Sequence, residues 1–92
     1  MTAIFVKELL IQNKLGLHAR AATKLAQLAN QFDAEILIKQ GEKEASADSV
    51  LALLMLESGM GKHITVSAQG KDAQAALLAV EALINKKFDE QS

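Results

Sequence analysis

Apolar residues along this chain switch their spacing from about two to about 3.6 and back again, and this alternation of periods constrains the fold more than any other feature. The cleanest case is a run in which Ile64, Val66 and Ala68 point one way and Thr65, Ser67 and Gln69 the other, the pattern of a half-buried strand. Gly70 then turns the chain into a segment where Ala73, Ala76, Leu77, Val80, Leu83 and Ile84 hold helical spacing, before Lys86 and Lys87 suit the negative end of a helix. Beyond them the polar tail Asp89-Glu90-Gln91-Ser92 is expected to fray.

The same two periods organise the N-terminal part. Phe5, Leu9 and Ile11 fall on one parity of an apolar-rich run from Ile4 to Gln12, which predicts a strand with one buried face, although Lys7 shares that parity. After the glycine turn Asn13-Lys14-Leu15-Gly16-Leu17, the residues Ala22, Leu25, Ala26 and Ala29 form the stripe of an amphipathic helix that begins at Ala19-Arg20 and ends near Asn30-Gln31. A strand is predicted from Ala34 to Lys39, a turn at Gln40-Gly41-Glu42, and a short strand from Lys43 to Ala47, together a hairpin. Asp48-Ser49 supplies an N-cap for a short helix from Val50 to Leu56, closed by the glycine loop Ser58-Gly59-Met60-Gly61.

The order is therefore βαββαβα. Alternating sheet residues and three helices, each with one apolar face, imply a two-layer α+β fold with all helices on one face of the sheet. Periodicity leaves strand order open, and ferredoxin-like modules share much of the pattern. With 92 residues, half of them hydrophobic, the chain is read as one domain spanning 1–92, able to bury a single core.

Composition removes several function classes. Ten basic and eleven acidic side chains are scattered rather than gathered in a stripe, and three phenylalanines are the only aromatics, so neither an electrostatic track nor a stacking platform for nucleic acid is present. No cysteine is available for disulfides or thiolate sites, which fits a reducing compartment such as the cytoplasm. The two histidines, His18 and His63, stand far apart without the further ligands a zinc site needs, so no metal and no cofactor are expected, and His63 is given no role. Lys7 and Glu8 interrupt any secretory signal, and the longest apolar stretch, Val50 to Leu56, falls far short of the ~20 residues needed to cross a bilayer.

His18 is the residue with chemistry to offer. It lies at the start of the first helix, where N–H groups lack intrahelical partners and the summed peptide dipoles place partial positive charge. That field attracts anions and favours a neutral imidazole with a lone pair. Arg20 adds a forked cation suited to phosphate oxygens. A plainer reading makes His18 a helix cap and Arg20 an unrelated surface residue.

The string Asn13-Lys14-Leu15-Gly16-Leu17-His18-Ala19-Arg20 resembles the active-site signature of the HPr family, the histidine phosphocarriers of the bacterial phosphoenolpyruvate-dependent phosphotransferase system. Three further stretches, Phe32-Asp33-Ala34-Glu35, Ser49 to Ser58, and Phe88-Asp89-Glu90, resemble its nitrogen-related branch, the NPr proteins. The resemblance implies an open-faced β-sandwich, three helices over a four-stranded antiparallel sheet. It also implies that enzyme I of the nitrogen branch passes a phosphoryl group to Nδ1 of His18, which hands it to a nitrogen-related enzyme IIA. Arg20 would neutralise the phosphoryl oxygens, and Gly16, Ala19 and Ala21 would bring backbone to the phosphate, Gly16 through a positive φ.

Further expectations follow from that resemblance. Ser49 matches a regulatory phosphosite of some family members, besides its role as a cap. The second helix is apolar nearly all round, and Thr23, Leu51, Leu54 and Met55, with Arg20, are expected to meet partner proteins. One departure stands out: HPr proteins usually carry proline after the signature arginine, where this chain has Ala21. The chain is expected to act as a monomeric, cytoplasmic carrier rather than an independent catalyst. The alternatives are a regulatory module whose contacts with target enzymes are switched by His18 phosphorylation, a sugar-branch HPr, and a small-ligand module in which His18 only caps a helix.

Overall fold

The computed structural model describes residues 3–90. Its elements follow the predicted order: β1 (Ile4–Leu10), α1 (Ala19–Ala29), β2 (Glu35–Gln40), β3 (Lys43–Ser46), α2 (Val50–Met55), β4 (His63–Gln69) and α3 (Ala73–Asn85), with a 3-10 turn at Lys87–Asp89. The four strands form one antiparallel sheet in the order β1-β4-β2-β3. Strand β4, the segment with the strictest alternation, is central and pairs with β1 from Ile4↔Gln69 to Leu10↔His63 and with β2 from Glu35↔Gln69 to Lys39↔Thr65.

The alternating faces sort as the sequence requires. Ile64, Val66 and Ala68 of β4 and Ile36 and Ile38 of β2 are buried against the helices. From the helical side come Ala22, Leu25, Ala26 and Ala29 of α1, Leu53 of α2, and Ala73, Ala76, Leu77, Val80 and Ile84 of α3. The alanines on α3 let that helix lie close to β1, β4 and β2, while α1 packs against α2 and α3. Ser49 caps α2 as predicted, its Oγ accepting from the Ala52 N–H at 3.2 Å.

Two expectations need correcting. The first strand ends at Leu10, and only Leu9 within it is buried. As an edge strand β1 has a neighbour on one side alone, and Lys7 leans across α3 to pair with Glu81 at 2.5 Å, leaving Phe5 partly exposed. The second correction concerns the tail. Gln91 and Ser92 lie outside the described residues, but Asp89 and Glu90 do not fray. The chain reverses after α3 through three successive left-handed residues, Lys87, Phe88 and Asp89, at φ 57°, 55° and 65°, and drops the Phe88 ring into the core. Lys24 on α1 ties this strap down, donating to the Phe88 carbonyl at 2.9 Å and to Asp89 at 3.3 Å.

Left-handed non-glycine residues cost roughly 1–2 kcal/mol each. Burial of one phenylalanine contributes about 1.5–3 kcal/mol, and each hydrogen bond to a charged group about 1.5–3 kcal/mol. The strap therefore stays seated through Phe88, Lys24 and the contacts of Glu90. Among the described residues no helix is long and apolar enough to cross a membrane.

Candidate functional site

The loop before α1 is built to present His18. Asn13 and Gly16 close a turn in which the Gly16 N–H donates to the Asn13 carbonyl at 3.1 Å and the Asn13 side chain donates to the Gly16 carbonyl at 2.7 Å. Gly16 takes φ +63°, as expected, and the reason is local packing as well as conformation: a Cβ there would lie 2.4 Å from the Ser58 carbonyl oxygen and 2.7 Å from Gly59 Cα. Leu17 anchors the loop from the other side, with its side chain buried and its N–H donating to the Ser58 carbonyl at 2.8 Å. The loop after α2 is thus the floor on which the histidine loop rests.

His18 is the N-cap of α1, with extended backbone at φ −81° and ψ −179°. Its carbonyl accepts the first intrahelical bond, from the Ala22 N–H at 2.8 Å, so the N–H groups of Ala19, Arg20 and Ala21 precede the helical ladder. The Arg20 N–H turns onto Nδ1 of His18 at 3.2 Å. A nitrogen that accepts carries no proton, so the ring is neutral, its hydrogen sits on Nε2, and its lone pair points at the helix N-terminus. The plainer reading of His18 as a cap and the chemical one therefore describe the same atom.

Nε2 faces Glu90 from the C-terminal strap, in a short charge-assisted contact. The same carboxylate oxygen accepts from the Asn13 amide at 3.2 Å. Hydrogen bonding from His18, then from Asn13, with the nearby charge of Arg20, holds the Glu90 carboxyl below its ordinary value of 4.5, against the opposing effect of burial. The His18 side chain retains 23% exposure and that of Glu90 12%, so the ring is partly open to solvent while the carboxylate is largely covered. Asn13 is fully buried, and its Oδ1 has no partner among the described residues.

Of the residues expected near a phosphate, Ala19, Arg20 and Ala21 surround the open helix end. Arg20 is exposed and makes no ion pair with any described residue, which leaves its guanidinium free for an incoming anion. Ala21 is buried and exposed Thr23 is tied to its own helix, its hydroxyl donating to the Ala19 carbonyl at 2.8 Å. On α2, Leu51 and Met55 stand 71% and 67% exposed, whereas Leu54 packs partly against the core and Leu53 is fully buried. Leu15 and Met60, from the two loops that touch each other, add exposed apolar side chains that periodicity did not single out.

Sequence reasoning also passed over Asn13, Lys24, Phe88 and Glu90 as parts of one arrangement. A signal was present for Phe88, a large aromatic four residues beyond Ile84 in an otherwise polar tail, on the same helical spacing as the buried stripe. None marked Glu90. A surface depression of about 800 Å3, bordered by Phe32, Asp33, Glu35 and Asp48, contains none of the residues that surround His18.

The chain as a whole is similar to known proteins. The family model described as "PTS HPr component phosphorylation site" matches residues 5–86. The chain is 67% identical to phosphocarrier protein NPr of Shewanella violacea over 86 residues, covering 94% of both chains. It is 54% identical to phosphocarrier protein NPr of Escherichia coli K12 over 81 residues, covering 87% of this chain and 90% of that one. Among solved structures, HPr-C-His from Thermoanaerobacter tengcongensis superimposes with a TM-score of 0.92 at 33% identity, covering 96% and 99% of the two chains.

Proposed function

Because the chain belongs to the PTS HPr family of phosphocarriers, we propose that His18 is its phosphoryl acceptor, charged on Nδ1 by enzyme I of the nitrogen branch and discharged to a nitrogen-related enzyme IIA. The observation that carries this reading is the unprotonated Nδ1 at the open N-terminus of α1. In-line transfer between two imidazoles needs an accessible lone pair and donors for the phosphoryl oxygens. The N–H groups of Ala19 and Ala21 and the free guanidinium of Arg20 stand where those oxygens would arrive. As the phosphorus approaches Nδ1, the Arg20 N–H exchanges that nitrogen for a phosphoryl oxygen.

The carrier reading makes the protein a cytoplasmic monomer whose substrate is another protein's phosphohistidine, not an independent catalyst. Exposed Leu51 and Met55, with Thr23 and Leu54, belong to the surface that partners cover, and the exposed Leu15 and Met60 add apolar area to it. The NPr relatives favour the nitrogen branch over a sugar-branch HPr. Ser49, half-buried and engaged as a cap, would after phosphorylation place added charge at the start of α2, beside that surface.

Incubation with phosphoenolpyruvate and purified enzyme I of each branch tests the proposal. An acid-labile phosphoryl adduct is expected, formed faster with the nitrogen-branch enzyme and absent in His18→Ala. No adduct with either enzyme, or one that persists in His18→Ala, would overturn it. The exposed apolar surface supports a second reading, direct regulation of target enzymes broken by phosphorylation at His18. His18→Ala would then still bind such a target, whereas His18→Glu would not.

A further inference from the structure

His18 is held at both edges of its ring, and the two holds come from opposite ends of the chain. Arg20 donates to Nδ1 from within the first turn of α1. Glu90 faces Nε2 from 72 residues away and is itself fixed twice over. Its carboxylate oxygen takes a second hydrogen bond from the buried Asn13, and its backbone is delivered by the strap that Phe88 plugs and Lys24 ties. A tail that only ended the fold would have no need of three left-handed residues to bring a carboxylate back over a histidine. Nor would Asn13, fully buried, be required to divide its amide between Gly16 and Glu90.

We propose that Glu90 is a positioning residue for phosphoryl transfer at His18: it keeps the ring proton on Nε2 and so selects Nδ1 as the nucleophile. This rests on the carrier reading above. In the transfer, the Nδ1 lone pair forms the new P–N bond while the bond between phosphorus and the donor's imidazole nitrogen breaks, its electron pair staying on that nitrogen. No proton leaves His18. Its ring becomes a phosphoryl-imidazolium, with the hydrogen still on Nε2 and the new positive charge against the Glu90 carboxylate. On discharge the same charged ring leaves phosphorus more readily than a neutral one, and it returns as the neutral Nε2–H form. Arg20, which also lies close enough to influence the carboxylate, serves the phosphoryl oxygens, and Lys24 and Asp89 hold the backbone.

Phosphoramidate, a small phosphoryl donor that modifies imidazoles without any enzyme, separates this role from the carrier reading. With the full chain, nuclear magnetic resonance of the 15N-labelled His18 ring reports which nitrogen is modified. Modification at Nδ1 alone is expected in the wild type. In Glu90→Ala, Nε2 is uncovered and unclaimed, so it becomes a second site and the rate at Nδ1 falls by about tenfold, the worth of a hydrogen bond to a charged group. Glu90→Gln retains an oxygen that accepts the Nε2 hydrogen and is expected to restore selectivity for Nδ1. Phe88 ring resonances, unchanged in both variants, show the strap still seated. Unchanged selectivity in Glu90→Ala, loss of selectivity in Glu90→Gln, or release of Phe88 in both variants would overturn the role of Glu90. A wild type that phosphoramidate modifies selectively, yet no enzyme I can charge, would overturn the carrier reading alone.

Discussion

Replacing Gly16 with alanine imposes two separate penalties on the loop that carries His18. The first is conformational, since φ +63° is a left-handed geometry that costs a residue with a Cβ roughly 1–2 kcal/mol. The second is steric. The new methyl would meet the Ser58 carbonyl oxygen at 2.4 Å and Gly59 Cα at 2.7 Å, both backbone atoms that cannot rotate aside. Overpacking of this kind costs about 1–3 kcal/mol. Together the penalties reach roughly 2–5 kcal/mol, a large share of the 5–15 kcal/mol that holds a typical domain folded. Gly41 is the internal control, because it takes φ +61° with nothing within 4 Å of a Cβ and so bears the first penalty alone. The chain has neither tryptophan nor tyrosine, so thermal unfolding is best followed by far-ultraviolet circular dichroism. Each kcal/mol lowers the midpoint of a domain this size by roughly 4–8 °C. Gly16→Ala should therefore melt at least about 4 °C below Gly41→Ala. Equal midpoints would refute the steric argument, and with it the claim that the Ser58-Gly59 loop is the floor of the site.

Four other substitutions and a change of pH give distinct signatures. Ala21→Pro, in the first turn where no intrahelical bond is lost, should stabilise the chain by about 0.4–1 kcal/mol. It also removes the Ala21 N–H that faces the phosphoryl oxygens, so the rate of His18 phosphorylation should not rise, and a rise of several orders would mark the present chain as a weakened carrier. Leu51→Asp and Met55→Asp should change the unfolding free energy by less than about 0.5 kcal/mol, since neither side chain is in the core. Both should raise KM for charging by enzyme I about tenfold, the mark of an interface contact worth more than 1 kcal/mol. Acidification should release the strap. Glu90 has its carboxyl held below 4.5, so the ionised form favours the seated strap, and its contribution is complete above that value and lost as pH falls through the lowered one. Amide exchange at Glu90 and the ring shifts of Phe88, measured from pH 7 to pH 3, should show the loosening. Glu90→Gln should remove the part of it that follows this carboxyl.

Much of the framework was legible because each element announces its own burial. The alternation through Ile64, Val66 and Ala68 requires a strand with one face covered, and the stripe Ala22-Leu25-Ala26-Ala29 requires a helix that covers it. Ser49 could be read as a cap because a serine oxygen before an apolar run satisfies a local N–H. What stayed hidden depended on partners distant in sequence. Lys7 looks like a blemish on the buried face of β1 until Glu81 of α3 is placed beside it. Asp89 and Glu90 look like a solvated ending because their composition is that of one. Their fold-back is enforced by the slot that β- and α-elements leave for Phe88, and no local preference of Lys87 or Phe88 favours left-handed backbone. The site divides along the same line: His18 and Arg20 belong to one helix start and are visible together, whereas Asn13 and Glu90 become neighbours only after the whole sheet has closed.

That closure has a schedule. Strand β1 pairs with β4 alone, so Ile4 must wait for Gln69 before any of its sheet hydrogen bonds can form. At 5–20 residues per second, a ribosome takes roughly 3–13 s to make the intervening chain. Throughout that interval the first-made strand is without a neighbour, while the local β2–β3 hairpin can already assemble. Glu90 is made later still. A nascent or truncated chain can carry His18 at the start of a helix, but nothing faces Nε2 of its imidazole until Glu90 has been added. The contacts of the histidine therefore close only after every residue from Ile4 to Glu90 has been made.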